Sequence, residues 1–303
     1  MNRFLGNSGS QLTHLFHDDR YKTLDTPNPS YFVTNITKQD QEFTEKMIMT
    51  ERLKDKVAFI TGGNSGIGFA SARAFVEQGA TVAILARSQE KADAARAGIG
   101  GNTSSIIGDV TDLDSLKRAY ETVKERHGRI DIVVANAGVA PPTPFGDVEP
   151  AAFDRIFDVN VKGSFFTVQY ALPLLAKGAS VILVSSCLNE MGMEGFSIYN
   201  ASKAAMRSLA RSLTLDLAKV GARINVLSPG PIVTPALKNG GLSPDQIETQ
   251  YSAFSNVLAA GRVGQPEEMA AVAVFLASDD SSYMYGSEIQ ADGGMNQTRW
   301  PKQ

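Results

Sequence analysis

Residues 61–68 read TGGNSGIG, with glycines at positions 62, 66 and 68. The apolar run Val57–Ile60 precedes them, and an amphipathic segment from Phe69 to Gln78 follows. Glycines in such a loop allow a tight turn and let the backbone approach a pyrophosphate, while the N-terminus of the following helix offers free N–H groups to phosphates. The GxxxGxG spacing alone is a weak signal, since a glycine-rich turn can also serve only to pack a helix on a sheet. Its place between a strand and a helix nevertheless predicts a nucleotide-binding loop.

Strand-sized apolar runs recur along the chain, with helix-length periodic segments between most of them. The runs are Thr81–Ala86, Ser105–Ile107, Ile130–Val134, Ser180–Val184 and Arg223–Leu227. Strands that are apolar on both faces and alternate with helices are typical of a parallel sheet covered on both sides. Ser88, directly after the second run, is expected to cap the next helix. The sequence thus predicts an α/β fold, a three-layer doubly wound parallel sheet in a single domain.

The first fifty residues differ from the rest because they are polar and show no sustained helical or strand period. We expect residues 1–50 to be a flexible extension and residues 51–303 to form the cofactor-binding and catalytic domain. A start of translation at Met47 or Met49 is the alternative that the sequence leaves open.

The composition of the chain limits the classes of molecule that it is expected to bind. The 303-residue chain has a formal charge of -3, which gives nucleic acid or anionic lipid no overall basic field. No stretch approaches the roughly 20 apolar residues of a membrane span, and no signal-peptide pattern is visible. The single cysteine, Cys187, excludes an intramolecular disulfide, and three histidines leave little for a metal site. We expect a cytoplasmic protein without metal, nucleic-acid or membrane partners.

The end of the second strand indicates which dinucleotide fits. An acidic residue there would bind the adenosine ribose hydroxyls and repel a 2′-phosphate. This chain has Ala86 followed by Arg87, whose guanidinium can pair with a phosphate and stack on adenine. NADP(H) is therefore favoured over NAD(H). The alternative is that Arg87 is a solvated charge and either cofactor binds.

Two further strand ends carry candidate cofactor contacts. Asp109 and Val110 follow the third run, where a carboxylate can accept from the adenine amino group. Helix capping is the alternative role, and it is more plausible for Asp112 than for Asp109. Residues 136–138, Asn-Ala-Gly, follow the fourth run, where a small backbone would let the cofactor ribose lie close.

The densest group of reactive side chains is Ser186 after the fifth run and Tyr199 with Lys203 on the next helix. Tyr199 and Lys203 are four residues apart and so share one helix face. An ammonium about 4 Å from the phenol is worth about 4 kcal/mol at an effective dielectric of about 20, which would lower the tyrosine pKa by roughly 3 units before the cost of desolvation is subtracted. That shift would make the phenol useful near neutrality, and a serine hydroxyl can polarise a carbonyl oxygen. Alone, such a Tyr–Lys pair is more often an ordinary surface pair.

The ordered set of motifs resembles the short-chain dehydrogenase/reductase family in its single-domain, Rossmann-like branch, over about Leu53 to Gln297. The matching motifs are TGGNSGIG at 61–68, GDV at 108–110, NAG at 136–138, FDVNVKG at 157–163, YNASK at 199–203, SPGPIVTP at 228–235 and ADGG at 291–294. The resemblance implies catalytic roles for four residues. Tyr199 would be the general acid/base, Lys203 would lower its pKa and hold the nicotinamide ribose, Ser186 would bind the substrate oxygen, and Asn160 would bend its helix and hold a water in a proton relay.

The resemblance also implies a cofactor-binding set. That set is Gly62, Asn64, Ser65, Gly66, Ile67, Gly68, Arg87, Asp109, Val110, Asn136, Ala137, Gly138, Lys162, Tyr199, Lys203, Pro229, Gly230, Ile232 and Thr234. Lys162 is the weakest member, because a solvated helix charge explains it equally well. Cys187 is read as a small buried hydrophobe. A homotetramer or homodimer is implied, with the helices after Asn160 and Tyr199 in contact between copies.

Apolar residues surround the expected substrate position, including Leu188, Met191, Met193, Phe196 and parts of the segment 236–255. Residues 239–242 are expected to form a mobile lid whose following part is helical, with an ordinary glycine-rich turn as the alternative. We expect a carbonyl reductase or alcohol dehydrogenase for a small, largely apolar molecule. The alternatives are a catalytically silent NADP(H)-binding regulator and a dehydratase or epimerase on the same fold.

Overall fold

The computed structural model describes residues 51–235 and 242–297. Within them, seven strands form one parallel sheet in the order β3-β2-β1-β4-β5-β6-β7. The strands are β1 Val57–Thr61, β2 Thr81–Ala86, β3 Thr103–Ile107, β4 Ile130–Ala135, β5 Leu175–Val184, β6 Arg223–Pro229 and β7 Glu288–Ala291. The helices are α1 Gly66–Glu77, α2 Gln89–Ile99, α3 Leu113–His127, α4 Pro150–Phe157, α5 Ser164–Ala171, α6 Ser197–Lys219, α7 Pro244–Ser255 and α8 Pro266–Ala277. The predicted extension at 1–50 and the lid at 239–241 lie outside the described residues.

Successive residues of the central strands enter opposite cores, which explains why these strands are apolar on both faces. Phe59 and Val133 belong to one core, in which α3, α5 and α6 cover the sheet. Ile60 and Val134 belong to the other, in which α1, α2 and α8 cover it. The predicted three-layer doubly wound sheet is confirmed.

The strand order reverses beside β1, because β1 pairs with β2 on one side and β4 on the other. In such sheets the carboxyl ends of the two central strands diverge and leave a crevice for a ligand. The glycine loop after β1 and the Asn-Ala-Gly segment after β4 both border this crevice.

Side-chain caps fix where several helices begin. Ser88 Oγ accepts a hydrogen bond from Lys91 N at 3.5 Å, as predicted. Asp112 Oδ1 accepts from the backbone N–H groups of Asp114 and Ser115 at 3.1 and 3.0 Å, so Asp112 rather than Asp109 caps α3. A capping box at Ser243 starts α7, and the expected helical part after residue 242 is confirmed.

Two elements differ from the sequence pattern. β7 was not predicted, since its four residues are half-buried and mixed in polarity at the sheet edge. Between α4 and α5, Asp158–Gly163 forms a π-helical turn that includes Asn160. Such single turns interrupt the normal helical register and often stand at functional sites. No helix in the described part of the chain has both the length and the apolarity needed to cross a membrane.

Replacement of Phe59 by alanine should destabilise the fold by about 3–5 kcal/mol, the usual cost of emptying a fully buried phenylalanine site. The Phe59 side chain is 0% exposed, and its ring centroid lies 4.7 Å from that of Tyr120. Urea unfolding measures the change. Phe145→Ala is the control, because Phe145 is 90% exposed. Equal losses in the two variants would contradict this assignment of the core.

Candidate active site

The glycine loop has the shape that a phosphate-binding turn requires. Gly62 and Gly66 have φ angles of +66° and +54°, a region in which residues with a Cβ are strained. Ser65 stands at the N-cap of α1 without a side-chain capping bond, and no acidic residue occupies the first turn. The first N–H groups of α1 and its positive dipole end therefore suit a phosphate. Asn64 and Ile67 are half-buried in this loop, and Ser65 is exposed.

The side chain of Asn136 ties this loop to the end of β4. Its Nδ2 donates to the carbonyl oxygens of Thr61 at 3.0 Å and Gly62 at 3.2 Å. The backbone N–H groups of Asn136 and Ala137 donate in turn to Thr61 Oγ1 at 3.1 and 3.2 Å. A Cβ on Gly68 would lie only 2.5 Å from Asn136 Nδ2. The sequence predicts only a small backbone at this segment, and the structural role of the Asn136 amide depends on contacts that no motif indicates.

The loop after β6 lies against the glycine loop. A Cβ built on Gly66 would lie 3.3 Å from Thr234 Cγ2. Ile232 pairs with Gly264 in an isolated bridge, which holds the loop beside α8. Gly230 passes close to Asp292, where a Cβ would lie 2.6 Å from the aspartate Cα. The predicted residues from Pro229 to Thr234 thus line the crevice from the β6 side.

The ends of β2 and β3 bring Arg87 near Asp109. The guanidinium is 71% exposed, and its Nη1 lies 4.0 Å from Asp109 Oδ2. Asp109 Oδ1 accepts two hydrogen bonds from Thr111, from its N and its Oγ1, both at 2.9 Å. One carboxylate oxygen is therefore used by the local turn. The other faces the guanidinium.

Val110 packs on the π turn that carries Lys162. Val110 is buried against Gly163, where an added Cβ would lie 2.8 Å from Val110 Cγ2. Lys162 Nζ lies 3.3 Å from Asp158 Oδ1 in an exposed ion pair. Lys162 is therefore a solvated charge in this structure, and its contact with the cofactor stays a prediction.

Lys203 is buried, and its ammonium is held at the end of β5. Its Nζ donates to the Val184 carbonyl at 2.8 Å and lies 5.7 Å from the centroid of the Tyr199 ring. A Cβ on Gly138 would lie 3.4 Å from this Nζ, so the Asn-Ala-Gly segment passes directly beside it. Burial lowers the pKa of Lys203 to about 8, because the charged form loses solvation.

Tyr199 and Ser186 are brought together by α6 and the turn after β5. Burial raises the pKa of Tyr199 to about 12, and a hydrogen bond with Ser186 opposes part of that shift. Ser186 itself is 8% exposed, and its Oγ accepts from Leu188 N at 3.2 Å. The expected lowering of the Tyr199 pKa by Lys203 is therefore wrong for this arrangement. The ammonium faces the ring and the Val184 carbonyl, while desolvation of the phenol dominates.

Asn160 lies in the same group, at 1% exposure. Its Oδ1 accepts from Val139 N at 2.8 Å, and its Nδ2 donates to Val139 O and to Ser202 Oγ, both at 3.0 Å. Ser202 Oγ donates in turn to the Tyr199 carbonyl at 2.7 Å. Sequence reasoning missed Ser202 as a support of this group, although its position inside YNASK was an available signal.

Apolar side chains lie around Ser186, Tyr199 and Lys203, which we call the reactive group. Leu188 is buried, Met191, Met193 and Phe196 are half-buried, and the Phe196 ring meets Tyr199 edge to face with centroids 6.2 Å apart. Cys187 is 2% exposed, and burial raises the pKa of its thiol to about 11. The interpretation of Cys187 as a small buried hydrophobe agrees with this environment.

The sequence and the structure of this chain are similar to those of known proteins. The family model described as Enoyl-(Acyl carrier protein) reductase matches residues 62–296. Oxidoreductase asL5 of Sarocladium schorii is 47% identical over 253 residues, covering 83% of this chain and 100% of the relative. An NADP-dependent (R)-specific alcohol dehydrogenase of Lentilactobacillus kefiri is 34% identical, covering 81% of this chain and 98% of its own. A short-chain type dehydrogenase/reductase from Mycobacterium marinum superimposes with a TM-score of 0.74 at 34% identity, covering 83% and 99% of the two chains.

A match of this extent, together with the parallel sheet and the Ser186, Tyr199 and Lys203 group at its carboxyl edge, shows that this chain belongs to the short-chain dehydrogenase/reductase family of NAD(P)-dependent oxidoreductases.

Proposed function

We propose that this enzyme interconverts a carbonyl and a secondary alcohol on a small, largely apolar substrate, with NADP(H) as cofactor. The observation that carries the proposal is the meeting of Ser186, Tyr199 and Lys203 where β5 ends. The Ser186 hydroxyl lies near enough to the Tyr199 phenol to lower its pKa, so their two hydroxyls would be able to bind one substrate oxygen. The bound nicotinamide supplies or accepts the hydride. The half-buried Met191, Met193 and Phe196 would form apolar walls for the substrate.

A protonated Tyr199 is the form that carbonyl reduction would require. With a pKa near 12, the phenol holds its proton throughout the neutral range and can give it to a developing alkoxide. Ser186 would stabilise the same oxygen by a second hydrogen bond. Lys203 would hold the nicotinamide ribose through its ammonium group. Asn160, within the π turn, would support the proton path that ends at Lys203.

The preference for NADP(H) is supported by the end of β2. Ala86 places no negative charge there, and the guanidinium of Arg87, which is 71% exposed and 4.0 Å from Asp109, would turn toward a phosphate. The relative from Lentilactobacillus kefiri carries NADP-dependence in its name. Gly62, Gly66 and Gly68 with the N-terminus of α1 would hold the pyrophosphate, and Asp109 and Val110 would lie beside the adenine.

We also propose that the enzyme acts in the cytoplasm as a homotetramer or homodimer, with residues 1–50 as an extension outside the catalytic domain. Exposed apolar side chains on or beside the helices expected to meet between copies support the assembly. They include Phe153, Leu172 and Leu215, at 44%, 40% and 74% exposure.

Tyr199→Phe should lower kcat by roughly 10²- to 10⁴-fold, the range for loss of a general acid, without abolishing NADPH binding. The assay follows NADPH oxidation against a panel of ring ketones, acyl carbonyls and aromatic carbonyls. Tyr283→Phe is the matched control, since Tyr283 is 99% exposed. NADPH binding by the wild type without turnover of any carbonyl would favour a catalytically silent regulator instead.

The rate of NADPH-dependent reduction should depend on pH through Lys203. Because its pKa is lowered to about 8, the ammonium is present below that pH and lost above it. The value of kcat/KM for NADPH, which reports groups of the free enzyme, should therefore fall above about pH 8. Lys203→Arg should move this fall beyond pH 10, because a guanidinium stays charged. Lys219→Arg, at an exposed site, should leave the profile unchanged. A wild-type profile that stays flat to pH 10 would contradict the assignment.

The double variant Ala86→Asp, Arg87→Ala should shift preference toward NAD(H). Loss of a charge-assisted contact of about 1.5–3 kcal/mol corresponds to a roughly 10- to 100-fold fall in kcat/KM for NADPH. Both cofactors are measured with the same carbonyl substrate. Arg96→Ala, in the last turn of α2, controls for removal of a nearby positive charge. Unchanged ratios of the two kcat/KM values would refute the NADP(H) assignment.

A further inference from the structure

A buried polar cluster lies behind the reactive group, on the side away from the glycine loop. Its centre is Glu288 of β7, whose side chain is 7% exposed. Arg207 Nε contacts Glu288 Oε2 at 2.9 Å, and Glu288 Oε1 accepts hydrogen bonds from Ser228 Oγ and Asn189 Nδ2, both at 2.5 Å. We refer to Glu288, Arg207, Asn189 and Ser228 as the Glu288 cluster.

The Glu288 cluster is joined to the segment that carries Ser186. Asn189 ends the one-turn 3₁₀ helix Cys187–Asn189, for which Ser186 is the N-cap. Asn189 Nδ2 also lies 3.3 Å from Ser185 Oγ, and Ser185 Oγ donates to the Lys203 carbonyl at 2.9 Å. The cluster therefore reaches both the turn behind Ser186 and the backbone of Lys203.

The carboxylate of Glu288 fixes the orientation of the Asn189 side-chain amide in the cluster. An ionised carboxylate only accepts hydrogen bonds, so Asn189 must turn its Nδ2 rather than its Oδ1 toward Glu288. Arg207, one helical turn beyond Lys203 on α6, balances the buried charge and also donates to the Gly286 carbonyl at 2.7 Å. Tyr199, Lys203 and Arg207 thus follow one another at four-residue intervals, with the first two at the reactive group and the third on Glu288.

Stability alone is a weak reason for this arrangement, because a buried ion pair costs desolvation that well-packed apolar residues avoid. Both carboxylate oxygens of Glu288 are bonded, whereas Asn189 Oδ1 is buried without a hydrogen-bond partner, so the orientation of Asn189 depends on the bonds of its Nδ2.

We propose that Glu288 is a positioning residue for the reaction: with Arg207 it holds Asn189, and through Asn189 it fixes the turn 186–189 so that the Ser186 hydroxyl stays against Tyr199. This inference rests on the proposed function, since it assigns Ser186 a role at the substrate oxygen. Glu288 itself touches no reacting atom.

The test uses Cys187 as a reporter, because it is the only cysteine of the chain and lies inside the turn. The full-length Glu288→Gln and Asn189→Ala variants are treated in the folded state with iodoacetamide at fixed pH, and the labelling rate is read by mass spectrometry. Turnover of the best carbonyl substrate and the Kd for NADPH are measured on the same samples. Should Glu288→Gln fail to fold, Asn189→Ala and the double variant Arg207→Gln, Glu288→Gln give the same two readouts.

Asp131→Asn is the matched control. Asp131 is also a buried carboxylate, 10% exposed, with an arginine partner at 3.1 Å and a hydrogen bond from Val57 N, but it stands at the start of β4. It should lower the melting temperature without loosening the turn 186–189.

We expect Glu288→Gln and Asn189→Ala to raise the labelling rate of Cys187 at least threefold and to lower kcat by roughly 10- to 100-fold, the scale of a small misplacement of a reacting group. The Kd for NADPH should stay within about twofold. A folded Glu288→Gln variant with the wild-type labelling rate and the wild-type kcat would overturn the proposal. Faster labelling of Cys187 with an unchanged kcat would also overturn it. So would an equal rise in the labelling rate of Asp131→Asn. Absence of carbonyl turnover in the wild type would instead refute the proposed function, and labelling would then decide alone whether Glu288 holds the turn.

Discussion

The cofactor crevice depends on the hydrogen bonds that the side-chain amide of Asn136 makes. This amide joins the end of β4 to the end of β1 at the point where the strand order reverses, through hydrogen bonds to the Thr61 and Gly62 carbonyls. Thr61 is buried and Gly62 is half-buried, and a carbonyl left without a partner in such a place costs about 1–3 kcal/mol. The close approach of Asn136 also explains Gly68, where any Cβ would collide with the amide. A glycine that the motif alone assigns to a pyrophosphate is thus required by the protein itself.

Burial governs the chemistry of the reactive group more than pairwise charge does. The same loss of solvent lowers the pKa of Lys203 and raises that of Tyr199, because one group is charged with its proton and the other without it. Each shift stabilises the neutral form of the side chain relative to its charged form. The protein then holds a protonated phenol beside an amine whose pKa lies close to physiological pH.

Much of the fold follows from the sequence, because a strand buried on both faces must be apolar throughout. The positions of β1, β2, β4 and β6 came from that pattern with small differences at their ends. β5 begins five residues earlier than expected, since Lys177 and Gly178 lie in an exposed part of the strand that carries no apolar signal. β7 escaped prediction for a similar reason: a half-buried edge strand of Glu-Ile-Gln-Ala shows neither alternation nor a continuous apolar run.

The site could be predicted as a set of residues but not as an electrostatic arrangement. Helical spacing was enough to bring Tyr199 beside Lys203, and the motif order was enough to bring Ser186 near them. The direction in which an ammonium points depends on which carbonyl is within reach, and here that carbonyl belongs to Val184. The partner of Lys162 and the network around Glu288 are likewise set by contacts between distant parts of the chain.

The surroundings of Cys187 have a consequence for the enzyme in an oxidising cell. A thiol with a pKa of about 11 is ionised in only roughly one molecule in ten thousand at neutral pH, and the thiolate is the form that attacks peroxides and so becomes oxidised. Met295, with its sulfur 3.8 Å from Sγ, lies closer to the surface and is only half-buried. Oxidative damage in this region should therefore begin at a methionine sulfur, as a sulfoxide that reductases can reverse, before it reaches the residue next to Ser186.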